Sequence, residues 1–362
     1  MLTYKQSGVD IEPATHFKKV MIRPRIETAW PGGGKEIGRF AGRGQIPIGA
    51  KRIDVSTDGT GTKIILAALL EMFDGIGQDA VAMGAVDTYV AGALPLYLVD
   101  TLAVARLEPE KHIKIIESVI RGCLLAGCQL IGGETAQLPG MFKYPWMVNL
   151  DVTVIGFHNP DMAFIPLEPR QRVYGWPSYG PASNGFSLLR EIFGLTLGEG
   201  FFQPLWECFG WQRSVKKARK NLERYWPELE STLAEALLEP TPIWISHAEE
   251  ARRKGMKFAG HAHITGEGMG GNIPRILNGN ENVKVVINRS AWQRPPIFRL
   301  AQEVGQISDE EMDRVFNQGI MMISIIPVNG PGLKPPAMLI GEMQKRKPHE
   351  PQVELVGKYN DA

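Results

Sequence analysis

Apolar positions in the first half of the chain change their spacing several times, and each change marks an element. IDVST (53–57) has a strand's composition. GTKIILAALLEMF follows with Ile64, Ala67 and Ala68 on one side and Ile65, Leu69 and Met72 on the other. That spacing predicts a helix, apolar nearly all round and therefore buried. QDAVAMGAVDTYVAGAL (78–94) reads as a second helix, rich in small residues that let a neighbour approach closely, and Pro95 stops it. LYLVDTLAVARL (96–107) is a long apolar strand, buried on both faces or at an interface. EPEKHIKIIESVIRGCLLAG (108–127) has the clearest helical period, with Ile113, Ile116, Ile120, Cys123 and Leu124 in step and Gly127 as the stop. QLIGG and NLDVTVIGF (149–157) return to strand.

HNPDMAFIPLEPRQR (158–172) breaks the pattern with prolines and polar residues, so the predicted division is 1–165 and 166–362. The second half opens with the strand VYGWP, the turn SYGPASNG and the helix FSLLREIF. KKARKNLERYWPELE reads as a solvated helix. In EPTPIWISHAEEARRKG, Thr241 suits an N-cap and Pro242 a first helical residue. Residues 1–50 are rich in glycine and proline and read as a mobile segment with one or two short strands at most. The expected class is α/β (α+β), in two domains.

Composition narrows the function. The 362 residues are 44% hydrophobic and 22% charged, as in ordinary soluble globular proteins, with a net charge of +1. No large basic field argues for nucleic acid. No apolar run approaches the roughly 18 residues of a membrane span, and the polar start MLTYKQSGVDIEP is not expected to be a secretory signal. Three cysteines, Cys123, Cys128 and Cys208, do not make a disulfide frame, so a reducing cytoplasm is expected. Cys123 and Cys128 lack a third ligand nearby and read as core thiols.

Candidate chemistry begins at STDGTGTK (56–63). Asp58 at a strand end suits a divalent cation. Gly59 and Gly61 let backbone approach a phosphate, and Thr62 opens a helix whose free N–H groups attract the same anion, with Lys63 adding charge. The stretch is not a Walker loop. A capped strand-to-helix turn is the plain alternative. Asp87 and Asp100 are acids in apolar surroundings, which calls for a partner or a metal. GGETAQLPGM (132–141) adds Gly133, Glu134 and Thr135 at another strand end. Asp58, Asp87 and Glu134 together point to a Mg²⁺–polyphosphate site. In the second half, Ser183 and Asn184 precede one helix, and Thr265, Asn272 and Arg275 surround another glycine-rich start, both of which resemble anion-holding turns. His261 and His263 flank one residue of a strand and read as a structural pair.

With these motifs assembled, the chain resembles the phosphoribosylformylglycinamidine cyclo-ligase (aminoimidazole ribonucleotide synthetase) family. The matching stretches run nearly end to end: TYKQSGVDIE (3–12), STDGTGTK, GIGQDAVAM, GALPLYLVD, GGETAQLPGM, GPASNGFSLLREI, LLEPTPIW, HITGEG, NIPRIL, SAWQRPPIF and FNQG. The insert around 194–230 fits poorly. The resemblance implies a homodimer joined through N-terminal sheets and a cleft for ATP and Mg²⁺. It also implies ring closure of formylglycinamidine ribonucleotide, a small-molecule substrate. It places Asp58, Lys63 and Asp87 in catalysis, with Asp58, Asp87 and Glu134 on the metal. Gly59, Gly61, Thr62, Gly133, Glu134 and Thr135 then fall on the nucleotide, and Ser183, Asn184, Thr265, Asn272 and Arg275 on the substrate. The chain departs from the family pattern at Val86 for asparagine, Leu94 within GAEP, Ala182 for histidine, Glu267 and Gly271 in the TGGG–ENIPR loop, and Gln318 for cysteine. Those departures leave two alternatives: a weakened nucleotide-binding homologue with a regulatory role, or a related ATP-dependent synthetase on another substrate.

Overall fold

The computed structural model describes residues 11–37, 41–158, 162–197 and 210–361. TYKQSGVDIE falls almost wholly outside them, as do Cys208 and part of the insert around 194–230. The chain forms two compact units: residues 1–165 with 240–258, and 166–239 with 259–362. The segment 240–258, which a linear division leaves with the second half, therefore packs with the first unit.

The first unit begins with a helical run, α1 (Ile11–His16), a π-helical stretch (Phe17–Ile22) and α2 (Arg23–Ala29). This corrects the expectation of a mobile segment with short strands. Phe17, Met21, Ile22 and Ile26 form a buried stripe, and the glycines clustered after residue 31 hid that period when the whole stretch was read together. Next come β1 (Ile53–Gly59), α3 (Lys63–Leu70), α4 (Ile76–Val90), β2 (Ala93–Val104), α5 (Pro109–Ala126), β3 (Gln129–Gln137) and β4 (Val148–His158). The strands make a mixed sheet in the order β1-β4-β2-β3, parallel only between β2 and β3. The small residues of α4 have the expected use. A Cβ on Gly84 would lie 2.9 Å from Val154 of the sheet, and one on Gly77 would lie 2.4 Å from a backbone atom of α5. Val152, Val154, Leu98 and Leu102 form the core on the helix-covered side.

The helix Ile245–Arg253 completes this unit. It starts at Ile245 rather than at Pro242, because Thr241 is taken by Asp79: its N–H and Oγ1 both donate to Asp79 Oδ1, at 2.8 and 2.5 Å.

The second unit contains β5 (Arg172–Pro177), α6 (Phe186–Ile192), α7 (Gly210–Leu222), the short pair β6 (Tyr225–Trp226) and β7 (Ser231–Thr232), and α8 (Leu233–Leu238). The helix Ile245–Arg253 of the first unit is α9. Then follow β8 (Gly260–His263), α10 (Gly268–Asn272), α11 (Pro274–Leu277), β9 (Val283–Asn288), β10 (Gln293–Arg294), α12 (Pro296–Gly305), α13 (Asp309–Val315), β11 (Ile320–Ile326), β12 (Met338–Lys345), β13 (Val353–Val356) and β14 (Asn360–Asp361). The main sheet runs β13-β9-β12-β5-β11-β8. Helix α7 ends earlier than its charge pattern suggests. Pro227 disfavours helix at Trp226, and the chain turns into β6 instead. At one edge of the sheet β5 and β8 end and β11 begins, so the loops 178–185, 264–268 and 316–319 lie at the same edge.

Candidate functional site

Strand register decides which of the first unit's acids can act together. Asp58, Val152, Asp100 and Gly133 lie in one row across the sheet. Val152 points at α4: its Cγ2 lies 3.3 Å from the position of a Cβ on Gly84. That row therefore faces the helices, and Asp58 shares this side of the sheet with Asp87, which α4 carries. The adjacent row is Gly59, Asp151, Thr101 and Glu134, and its side chains point to the opposite side.

Glu134 is thus on the other face and the other edge of the sheet from Asp58, with two strands, about 14 Å, between them. It makes an ion pair with Lys18 of the N-terminal helical run at 3.2 Å. Grouping Glu134 with Asp58 and Asp87 at one metal is corrected on this ground. Among the described residues, no three His, Cys, Asp or Glu side chains are gathered for a metal ion.

Lys63 is corrected too. It is fully buried, with its Nζ 2.8 Å from Asp79 Oδ2, and Asp79 is equally buried. Burial pushes the Asp79 carboxyl up, opposed by Lys63 and by the two Thr241 hydrogen bonds. Lys63 therefore sits in a buried ion pair and is not exposed at the turn. The turn itself suits an anion. Gly61 takes φ +52°, and Thr62 at the N-cap of α3 makes no side-chain cap bond. Thr60 Oγ1 is buried and has no hydrogen-bond partner. Asp58 Oδ1 accepts from the Gly59 N–H at 2.7 Å.

The first unit holds a cavity of about 580 Å³ at the β3 edge. Ile22, Ile26, Ile37, Ile116, Val99 and Leu130 give it apolar walls; Asp100, Gly133, Glu134 and Thr135 also line it. Burial pushes Asp100 up to about 7, with Glu134 adding to the rise and Lys18 opposing it. Asp100, which the sequence marks as an acid in need of a partner, lies outside the predicted site set because it sits mid-strand rather than beside a glycine turn.

In the second unit, Ser183 Oγ and Asn184 Nδ2 are buried without hydrogen-bond partners, as is Gln318 Oε1. Thr265 and Asn272 bond to each other at 3.3 Å, and Asn272 Nδ2 donates to the carbonyls of Gly266 and Gly268. Asn272 is a loop clamp. Arg275 is exposed and lies 3.4 Å from Glu267. His261 and His263 are buried on β8; His261 Nδ1 meets Ser324 Oγ at 2.7 Å, and burial pushes its ring down to about 3.

Three of the departures from the family pattern are in these loops, and all three take left-handed backbone: Ala182 (φ +55°), Glu267 (φ +73°) and Gln318 (φ +51°). Left-handed φ costs a residue with a side chain roughly 1–2 kcal/mol. Where the family has glycine, Glu267→Gly is expected to stabilise the second unit by about 1 kcal/mol in chemical denaturation. The ion pair it removes is exposed on both sides and contributes little. Destabilisation in that experiment would mean that Glu267 holds the loop through contacts stronger than the strain.

Sequence profiles for the AIR synthase related protein match this chain in two places, the N-terminal domain at residues 44–158 and the C-terminal domain at 212–352. The chain belongs to the AIR synthase family. Relatives named phosphoribosylformylglycinamidine cyclo-ligase include that of Citrifermentans bemidjiense, 37% identical across 98% of this chain and 99% of its own. That of Caldanaerobacter subterraneus subsp. tengcongensis is 38% identical across 90% of each chain. Among solved structures, E. coli HypE, a hydrogenase maturation protein, superposes with a TM-score of 0.57 at 14% identity, covering 94% of this chain and 95% of its own. Thiamine monophosphate kinase from Aquifex aeolicus superposes with a TM-score of 0.53 at 15% identity, over 91% and 95%. These two likenesses show the fold. The family's N-terminal match spans Asp58, Asp87, Asp100 and Glu134; its C-terminal match spans Thr265, Asn272 and Gln318 and begins after Ser183.

Proposed function

We infer that this chain is an ATP-dependent cyclo-ligase that converts formylglycinamidine ribonucleotide into aminoimidazole ribonucleotide in purine biosynthesis. The observation that carries the reading is near end-to-end similarity to relatives named for that reaction. In the reaction the γ-phosphoryl group of ATP passes to the formamide oxygen, leaving ADP. The amidine nitrogen then attacks the same carbon. The C–O bond breaks, phosphate departs with the oxygen, the nitrogen loses a proton, and the imidazole ring is closed.

The residues support a division of labour. The turn 59–62 and the start of α3 offer backbone N–H groups to phosphate oxygens. Mg²⁺ fits the donor set, since it commonly uses one or two carboxylates with phosphate oxygens and water. Asp58 and Asp87 would hold it, and it would neutralise charge on the transferred group. Glu134 stays outside that set. In the second unit, the buried Ser183 hydroxyl and Asn184 amide suit the substrate's phosphate or ribose oxygens. Ala182 cannot move a proton, so the proton lost by the amidine goes elsewhere, with the departing phosphate as an acceptor.

A homodimer belongs to the same reading. Ile53 and Val55 on the uncovered side of the first sheet are each 56% exposed, and Ile46 and Ile48 are more exposed still. An apolar patch of this kind suits a second copy. No described helix is long and apolar enough to cross a membrane, and the free thiols Cys123 and Cys128 suit a reducing cytoplasm.

The test is ATP hydrolysis with and without formylglycinamidine ribonucleotide. ADP release that depends on the substrate and matches imidazole formation is expected. Nucleotide binding without turnover would overturn the reading in favour of a regulatory homologue.

A further inference from the structure

We propose that Asp100 is the specificity-determining residue with which the cavity at the β3 edge selects an aminopurine base. The inference rests on the nucleotide reading above and deepens it. The cavity is a poor phosphate site. The cation lining it, Lys18, is already paired with Glu134, and the two acids in its lining would repel phosphate. It is a good site for a flat, neutral ring, with isoleucine, leucine and valine on its walls.

Asp100 is the polar group placed deepest among those walls. It is 7% exposed, yet it lines the cavity. The glycine pair of GGETA makes this possible. Asp100 stands beside Gly133 in the sheet, and a Cβ on Gly133 would lie 2.0 Å from Asp100 Oδ1. Any other residue at 133 would displace the carboxyl. The ionisable groups around Asp100 are Glu134 of β3, Lys18 of the N-terminal run and Cys123 of α5. The raised Asp100 carboxyl keeps the cavity from carrying full negative charge at neutral pH.

A carboxyl oxygen accepts a hydrogen bond from an exocyclic amino group, as on adenine. Hypoxanthine puts a carbonyl oxygen at the same position, and once Asp100 is ionised two acceptors face each other across a buried gap, whereas a protonated Asp100 could donate to that oxygen. A site built around one hydrogen bond rejects the analogue that cannot make it.

The test is calorimetric titration of the full chain with ATP and with ITP at about pH 8, above the Asp100 value of about 7 so that its carboxylate only accepts, for the wild type and for Asp100→Asn. The phosphate chain is common to both ligands, so the ratio of their Kd values reports the base alone. Wild type is expected to bind ATP at least about tenfold tighter than ITP. In Asp100→Asn the ratio is expected to fall within about threefold, because an amide can turn to present either an acceptor or a donor. Should that variant fail to melt cooperatively, Asp100→Ser carries the same expectation. A wild-type ratio near one, or an unchanged ratio in a folded variant, overturns the proposal while leaving nucleotide binding intact. Binding of neither nucleotide would overturn both the proposal and the reading beneath it.

Discussion

Asp58→Asn lowers kcat by about 10²–10³-fold, in the expected outcome, and leaves the melting temperature within a few degrees of wild type. The two halves of that expectation come from different atoms. The fold uses Asp58 through Oδ1, which accepts from the Gly59 N–H at 2.7 Å. An asparagine Oδ1 keeps that bond, so the strand end and the turn into α3 survive. The reaction uses Asp58 as an anion. Asparagine is neutral, binds Mg²⁺ more weakly, and leaves the transferred phosphoryl group less well neutralised. Steady-state ADP release, measured across a range of Mg²⁺ concentrations, checks it. Partial recovery at high Mg²⁺ would mark Asp58 as a metal-holding residue. Unimpaired turnover at low Mg²⁺ would remove it from the site altogether.

What the sequence made legible follows from how far apart the interacting residues lie. The helices and strands of the first unit follow from spacing within one element, so α4, β2 and α5 are close to their expected bounds. Family membership is readable because motifs such as STDGTGTK and GGETAQLPGM are contiguous. Side-chain partnerships are another matter. Lys63 looks like a phosphate ligand because its neighbours in the chain are Gly61 and Thr62. Its actual partner, Asp79, is a full helix away, and Thr241 lies 162 residues beyond that. Glu134 looks like a third metal carboxylate because it follows two glycines at a strand end. Only the order β1-β4-β2-β3 and its register show that it faces away from Asp58. Asp100 was visible as an acid in an apolar strand, but the cavity that gives it a use is assembled from the N-terminal helical run, α5 and β3 together. The N-terminal run is hard to read for a local reason: the buried stripe of Phe17, Met21, Ile22 and Ile26 runs directly into the glycine-rich stretch after residue 31, which masks its helical period.

The buried pair of Lys63 and Asp79 provides the largest stability effect expected of any single site in the first unit. Both side chains are fully buried and 2.8 Å apart. Asp79 also accepts from the Thr241 N–H and Oγ1, so one carboxylate ties the start of α3 to α4 and to the lead-in of α9. Removing one partner leaves the other charge buried without compensation, which costs roughly 3–5 kcal/mol. Lys63→Met and Asp79→Leu are each expected to lose stability of that order in urea denaturation. The double variant should recover much of the loss, because two apolar residues leave no unpaired charge. Recovery stays incomplete, since Thr241 loses its acceptor. The two single variants also differ in pH dependence. In Lys63→Met the Asp79 carboxyl, already pushed up by burial, loses the cation that opposes the shift. Its folded form then holds a proton that the unfolded form has released, so the deficit is smallest at acid pH and grows as pH rises through the carboxyl's raised value. If instead Lys63→Met unfolds like wild type but binds ATP far more weakly, Lys63 belongs to the ligand and the buried pair is not what holds α3 in place.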